Sequence, residues 1–260
     1  MTGPSPPGDF ADDLVSIITP AYRAAHTIGD TIRSVVAQTY PRWEMLIAED
    51  CSPDDTREVV RHWTEIDGRV TLIALERNGG PAAARNAALE RAGGRWIAFL
   101  DSDDLWLPRK LEMSIAWAKA KQSPLVFTGY CRVSADGRRV GAYIRVPKSL
   151  TYRQLLGNTA IATSTVLVDR YVAGDIRMRQ TYYDDFDCWL RILKGGHRAA
   201  GLNEDLMRYR VLSGSVSRNK LRSSLHVWRA YRKLEGLSRV KSAWYFFRYA
   251  TRNLLKYSKF

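Results

Sequence analysis

With 260 residues, 45% of them hydrophobic, the chain has the size and apolar content of one large globular domain, or of a domain with an appendage. No stretch of about 18 apolar residues occurs, which argues against a transmembrane helix. The net charge of +13 sits mostly in one segment: from Ser213 onward twelve Lys and Arg oppose a single acid, Glu235, giving +11 there and +2 for residues 1–212.

The start, MTGPSPPGDFADD (1–13), is rich in Pro, Gly and Asp and lacks a basic apolar run, so it reads as a flexible tail and not as a secretory signal. LVSIITP (Leu14–Pro20) predicts a buried strand, followed by a helix through Ile28, Ile32, Val35 and Val36. WEMLIAED (Trp43–Asp50) predicts a second strand, DDTREVVRHW a helix, and VTLIAL (Val70–Leu75) a third strand. GPAAARNAALERAG is an Ala-rich helix with a stop at Gly93-Gly94. WIAFLD (Trp96–Asp101) is the fourth strand. Strands alternating with helices of this length imply right-handed crossovers and an α/β fold with a mainly parallel sheet, flanked by helices on both faces.

The second half is less regular. SPLVFTGYCRVSADGRRVGAYIRV predicts strands around a turn at Ala135-Asp136-Gly137, and LLGNTAIATSTVLVDR a loop and another strand. YYDDFDCWLRILKGG predicts a short helix with Phe186, Trp189, Leu190 and Leu193 on its apolar side. Cys51, Cys131 and Cys188 are scattered, odd in number and without metal-type spacing, as suits reduced thiols in a cytosolic protein.

In parallel sheets of this kind ligands bind beyond the carboxyl ends of the strands. Polar residues gather at those ends: Thr19-Pro20-Ala21-Tyr22, Glu49-Asp50-Cys51-Ser52, Arg77-Asn78-Gly79-Gly80, and Asp101 to Asp104. The last group, within FLDSDDLWLPRKLE (Phe99–Glu112), has two readings. One is a solvated turn with an Asp helix cap. The other is a divalent-cation site, in which a metal relieves the repulsion among the carboxylates. Four loops converging on one cleft favour the metal.

The segments TPAYR, EDCSPDDT, RNGGPAAARNAAL, FLDSDDLWLP and YDDFDCWLRIL stand in the order found in family 2 glycosyltransferases, and the chain resembles that family from about Val15 to Lys220. The resemblance implies a GT-A (Rossmann-like) fold and an inverting, nucleotide-sugar-dependent enzyme. Residues 14–212 would form the catalytic domain, with a nucleotide-binding half at 14–104 and an acceptor-binding half at 105–212; residues 213–260 would be a basic amphipathic helical extension.

By the same resemblance Asp101-Ser102-Asp103 is the DxD motif, Asp103 ligating Mn²⁺ or Mg²⁺ and Asp101 lying near the ribose or the metal. Hard cations of this type take oxygen ligands and need only one or two protein carboxylates when phosphates supply the rest. Asp104 is left between a sugar contact and a cap for the helix near Pro108. Thr19, Pro20, Ala21 and Tyr22 would surround the base, and Asp50 would contact the base or ribose. Asn78, Gly79, Arg85 and Asn86 would approach the diphosphate or uracil, with an ordinary surface charge as the alternative for Arg85. Glu49 and Cys51 depart from the family's usual Asp and Gly, which leaves the backbone at residue 51 in question. Asp185 matches the general base, with Asp184 and Asp187 as alternatives because a helix N-terminus also attracts acids. Trp189 is assigned to the acceptor side or to helix packing. In RYRVLSGSVSRNK, Leu212 stands where many relatives have His, so that Arg210, Ser215, Ser217 and Lys220 would do part of that work at the diphosphate, unless the segment is simply a flexible polar linker.

From Lys220 the pattern is helical, with Leu221, Leu225, Trp228, Tyr231, Leu234, Trp244, Phe247, Leu254 and Leu255 among cations. Such a segment suits an interfacial helix on anionic lipid; nucleic acid, or packing on the catalytic domain or a second subunit, are the rivals. The expectation is therefore a cytoplasmic glycosyltransferase peripheral on the inner face of the cell membrane. It would use a UDP-sugar and a lipid-linked or surface-glycan acceptor, with no nucleic acid and with homo-oligomerisation left open. The rivals are a nucleic-acid-binding protein and a nucleotidyltransferase, although TPAYRAAHT lacks the latter's Gly-rich phosphate loop.

Overall fold

Apolar runs with no polar face cannot sit at a wet surface, and here they form the centre of a single sheet. The computed structural model describes residues 11–158, 160–181, 183–212 and 220–257. Its first half runs β1 (Ala11–Ala21), α1 (Ile28–Val36), β2 (Trp43–Glu49), α2 (Thr56–Ile66), β3 (Val70–Ala74), α3 (Gly80–Leu89) and β4 (Gly94–Phe99). The second half adds β5 (Leu105–Trp106), α4 (Lys110–Lys121), β6 (Leu125–Ser134), β7 (Val140–Ile144), β8 (Ser149–Leu150) and α5 (Tyr152–Leu156). Then come a 3₁₀ turn at Thr163–Thr165, β9 (Leu167–Asp169), α6 (Arg170–Ala173), α7 (Asp184–Lys194) and β10 (Ala199–Val211). Two further helices close the described chain, α8 (Lys220–Arg229) and α9 (Arg239–Tyr257), joined through a π-helical turn at Ala230–Leu234.

The sheet order is β3-β2-β1-β4-β9-β6-β10-β5, with β7 beside β6 and β8 beside β10. β3, β2, β1 and β4 are mutually parallel, as the alternating pattern predicts. Beyond β4 the sheet is mixed, because β9 runs antiparallel to both β4 and β6 while β10 is parallel to β6. The two halves expected at 14–104 and 105–212 thus share one sheet. The chain leaves β1 for β2 on one side and returns to β4 on the other. That reversal opens a crevice at the carboxyl ends of β1 and β4, the place where such sheets take ligands.

Alternate residues of the central strands feed two cores. Ile17, Met45, Ile47, Trp96 and Ala98 face α1, α2 and α4, while Ile18, Leu46, Ala48, Ile97 and Phe99 face α3, α5 and α7. β1 starts earlier than expected, with Ala11 paired to Gly94 and Arg42 bonded to Asp13 at 3.0 Å, so this inner strand takes in part of the 1–13 segment. Residues 1–10 lie outside the described residues.

One core residue carries a cost. Lys110 is fully buried, its Nζ has no hydrogen-bond partner and stands 4.3 Å from the centre of the Trp106 ring, and burial brings the ammonium down from its ordinary 10.5 to about 7. Between those two values the unfolded chain binds a proton that the folded chain does not, so stability rises with pH across that window. The slope from this residue is at most about 1.4 kcal/mol per pH unit. Lys110→Met is expected to flatten that rise and to increase stability at pH 7, as read by urea unfolding at a series of pH values.

The basic extension folds back onto the catalytic body. Val227, Tyr231 and Tyr249 are buried in the same core as Leu155, Leu156 and Trp189. The Tyr231 hydroxyl donates to the Leu156 carbonyl. Glu235 accepts from the Tyr152 hydroxyl at 2.5 Å and from Lys194 at 3.1 Å. One face of the extension therefore meets the packing alternative. No helix among the described residues is long and apolar enough to cross a membrane.

Candidate active site

The four acidic and polar loops converge as the strand ends require. At the end of β4 the chain turns through Asp101-Ser102-Asp103-Asp104, held from α1 by Thr31, whose hydroxyl lies 3.0 Å from the Ser102 carbonyl and 2.9 Å from that of Asp104. Asp104 is buried. Its Oδ1 accepts the Arg210 amide at 3.0 Å and its Oδ2 the Ser164 hydroxyl at 2.6 Å. It does not cap α4, whose N-cap position is Arg109; it braces the turn, and burial with the charges of Asp103 and Asp101 pushes its carboxyl well up. Asp103 is half-buried and forms no ion pair among the described residues. Burial, then the neighbouring Asp101 charge, lifts its carboxyl to about 6. Arg210 bonds only the backbone carbonyl of Asp103, at 2.9 Å. The Arg210 charge offsets that rise only in part, and no cation touches the carboxylate itself among the described residues.

Across the cleft stands the N-terminus of α7, with three acids in its first turn. Asp184 is buried and bonded to Arg85 at 2.7 Å. Asp187 is buried and paired with Arg191 at 3.2 Å. Asp185 is half-buried, makes no ion pair among the described residues, and accepts from the Thr163 hydroxyl at 2.5 Å and from the Phe186 amide at 2.6 Å. It is therefore the acid of the three that is not fully buried and has no cation in direct contact, although Arg85 acts on it at longer range.

Two bridges hold the DSDD turn opposite Asp185. Arg85, on α3 and only 6% exposed, donates to Asp101 and Asp184 at 2.7 Å each. The 3₁₀ turn gives the second: Thr163 holds Asp185, while Ser164 holds Asp104 and receives the Asp101 amide at 3.1 Å. Trp106 fixes this turn by donating from Nε1 to the Ser164 carbonyl at 2.7 Å. Thr163 and Ser164 were not among the residues expected in the site. Neutral hydroxyls in ATSTV carry no charge or spacing signal, and their role exists only through what β9 brings them beside.

On the nucleotide side Tyr22 is 43% exposed and Pro20 is half-buried, whereas Thr19 and Ala21 are buried in the core at 0% and 1%, so Tyr22 is the most exposed of those four residues. Asp50 is buried, and its two oxygens accept the Gly79 and Gly80 amides at 2.8 Å each; it organises the third loop, with Asn78 donating to its carbonyl at 3.1 Å. Gly80 takes φ +81, which only glycine adopts freely. Asn86 is engaged with the Met178 backbone at 2.7 and 2.8 Å. Glu49 is buried against Arg57 at 2.7 Å and Cys51 takes φ +55, so the left-handed bend expected of glycine is kept by cysteine. Trp189 is a correction: it is 1% exposed and packs edge-on to Phe99, centroids 5.3 Å apart, because its helix face points into the core and away from the acceptor side. Ser215 and Ser217 lie outside the described residues, as does the side chain of Lys220.

The family described as Glycosyl transferase family 2 matches residues 16–176. The chain is a family 2 glycosyltransferase. It is 44% identical over 238 residues, 91% of this chain and 94% of the relative, to the Bacillus subtilis (strain 168) protein TuaG. It is 38% identical over 219 residues, 84% of this chain and 85% of the relative, to the Escherichia coli UDP-Glc:alpha-D-GlcNAc-diphosphoundecaprenol beta-1,3-glucosyltransferase WfgD. The fold matches that of S. aureus TarS 1–349 in complex with UDP-GlcNAc, with TM-score 0.71 and 19% identity over 92% of this chain and 72% of that one. It also matches the mannosyltransferase PcManGT from Pyrobaculum calidifontis in complex with GDP-Man and Mn²⁺, with TM-score 0.68 and 19% identity over 95% and 77% of the two chains. The glycosyltransferase therefore has the GT-A fold. Among its described residues no group of three or more His, Cys, Asp or Glu is arranged to hold a metal unaided.

A direct test of the 3₁₀ turn follows. Thr163→Val removes the hydroxyl that orients Asp185 while keeping the side-chain volume, and kcat is expected to fall roughly tenfold, the weight of a hydrogen bond to a charged group. The donor KM should hold, and Thr163→Ser should restore the rate. An equal loss in both variants would show the hydroxyl to be irrelevant.

Proposed function

We propose that this glycosyltransferase moves a hexosyl or N-acetylhexosaminyl group from a UDP-sugar to a lipid-linked glycan acceptor, with inversion at the anomeric carbon. The observation that carries the reading is Asp185, half-buried and without an ion pair among the described residues, held across the cleft from Asp103, which likewise makes none. The relatives' names support the donor and the acceptor class. Asp185 takes the proton of the acceptor hydroxyl as that oxygen bonds to the anomeric carbon; the bond from that carbon to the diphosphate breaks, and its electron pair leaves with the diphosphate. General-base help of this kind is worth roughly 10²–10⁴ in rate.

Asp103 would hold Mn²⁺ or Mg²⁺, with Asp101 and Ser102 beside it and the donor diphosphate supplying further oxygens. Bound there, the cation supplies Lewis-acid stabilisation of the leaving diphosphate's charge. The lack of a cation touching the Asp103 carboxylate among the described residues supports this assignment. Arg85 keeps Asp101 and Asp184 in register, Tyr22 offers its ring to the base, and Asp50 with Asn78 and Gly79 shapes the loop that borders the diphosphate. An acceptor anchored by lipid puts the enzyme to work at the cytoplasmic face of the membrane.

The test is stereochemical. UDP-α-glucose or UDP-α-GlcNAc is incubated with the protein, Mn²⁺ and a GlcNAc-diphospho-lipid, and the new linkage is read by NMR. A β linkage supports the proposal, and an α linkage would sink it. Nothing in the cleft favours the nucleic-acid or nucleotidyltransferase readings.

A further inference from the structure

We infer that the outward face of α9 is a docking surface for an anionic lipid bilayer. The inference rests on the reading above, in that it names the surface by which the enzyme reaches a lipid-borne acceptor. α9 has two apolar faces. One, with Tyr249 and the half-buried Tyr245 and Phe246, packs into the catalytic core. The other carries Val240, Trp244 and Phe247 at helical spacing of four and three, and these are 80%, 58% and 64% exposed. The packing alternative explains the first face and leaves the second unexplained.

Charge decides what covers it. Lys241 and Arg248 flank the stripe on one side, Arg248 lying 5.9 Å from the centre of the Trp244 ring, and Arg239 lies on the other side. The segment's single acid, Glu235, has a side chain only 3% exposed and is already matched by Lys194, so it presents no negative charge outward. On α8, Leu225 is 60% exposed and Arg229 is exposed as well, followed by Arg232 and Lys233 in the π-helical turn. A second copy of the chain would bring another uniformly positive face against this one. Nucleic acid would satisfy the charge but gives no partner to an aliphatic and aromatic stripe at this spacing. Anionic lipid satisfies both: cations at the headgroups and Trp and Phe at the acyl boundary.

The test uses the full chain and vesicles of phosphatidylcholine with and without phosphatidylglycerol. The protein is expected to co-sediment with the anionic vesicles and to be released by salt of about 0.5 M, where charges are screened within a few ångströms. A Val240→Ser, Trp244→Ser, Phe247→Ser triple variant should bind them at least about tenfold more weakly, since each removed side chain takes apolar area out of the interface. These residues are already in water, so thermal stability should stay at the parent value, and the triple variant should still transfer sugar to a detergent-dispersed short-chain acceptor. That last assay reports on the enzymatic reading and the vesicles on the surface, so either can fail alone. Equal binding to neutral vesicles, unchanged binding of the triple variant, a dimer in sedimentation that the variant abolishes, or displacement from vesicles by single-stranded RNA would each overturn the inference.

Discussion

Asp185→Asn is expected to lower kcat by roughly 10²–10⁴, the range for loss of a positioned general base. Asparagine keeps the size of the side chain, and its one amide oxygen can still accept from the Phe186 amide while its Nδ2 donates to the Thr163 hydroxyl oxygen, so the helix start should hold and thermal stability should change little. The donor KM should be nearly unmoved, because the proposed role puts Asp185 at the acceptor hydroxyl and not at the nucleotide. The neighbouring acids provide the control. Asp187→Asn breaks a buried pair with Arg191 and should act on stability first, whereas Asp184→Asn leaves Arg85 with Asp101 alone. If Asp185→Asn turned over at the parent rate while Asp184→Asn lost it, the base would have to be reassigned one residue upstream.

Asp103→Asn should remove the response to divalent cation. A Lewis acid at a leaving diphosphate contributes several kcal/mol, so kcat is expected to fall on the order of 10³ or more at saturating Mn²⁺. Calorimetry should show UDP binding that no longer tightens when Mn²⁺ is added. The parent protein has its own pH signature. With the Asp103 carboxyl lifted to about 6 by burial and by Asp101, protons compete with the cation below that value. Mn²⁺-dependent UDP binding should therefore weaken as the pH drops through about 6, and in Asp103→Asn this dependence should vanish. Parent-like Mn²⁺ coupling in the variant would falsify the ligand assignment.

The same two carboxylates show how much the linear chain disclosed. The parallel half of the sheet followed from its continuous apolar runs, because a strand without a polar face has to be covered on both sides. The convergence of the four loops followed from those strands running in one direction. The second half was less legible. β9 contributes only Leu167–Asp169 to the sheet, too short for a periodic signal, yet it sits between β4 and β6 and turns the sheet from parallel to mixed. Asp104 and Asp50 looked like ligand contacts because they stand in motifs. They prove to be buried and bonded to the protein's own amides and hydroxyls. Burial is not written in a motif.

By itself, then, the amino-acid order determined the fold family, the parallel strands and their loop ends, the acidic turn at 101–104 and the acid pair before the Phe186–Leu193 helix. These depend on local pattern and on residue type, which any stretch of chain displays. Only the tertiary structure decided which acid of α7 has no cation in direct contact, that Trp189 belongs to the core, that Thr163 and Ser164 join the two sides of the cleft, and which face of the basic extension is left to the outside. Each of these is a matter of which partner arrives from far along the chain, as when Arg85 meets Asp184 and Tyr231 meets Leu156. A carboxylate's chemistry is set by whether a cation reaches it, and that is fixed by packing.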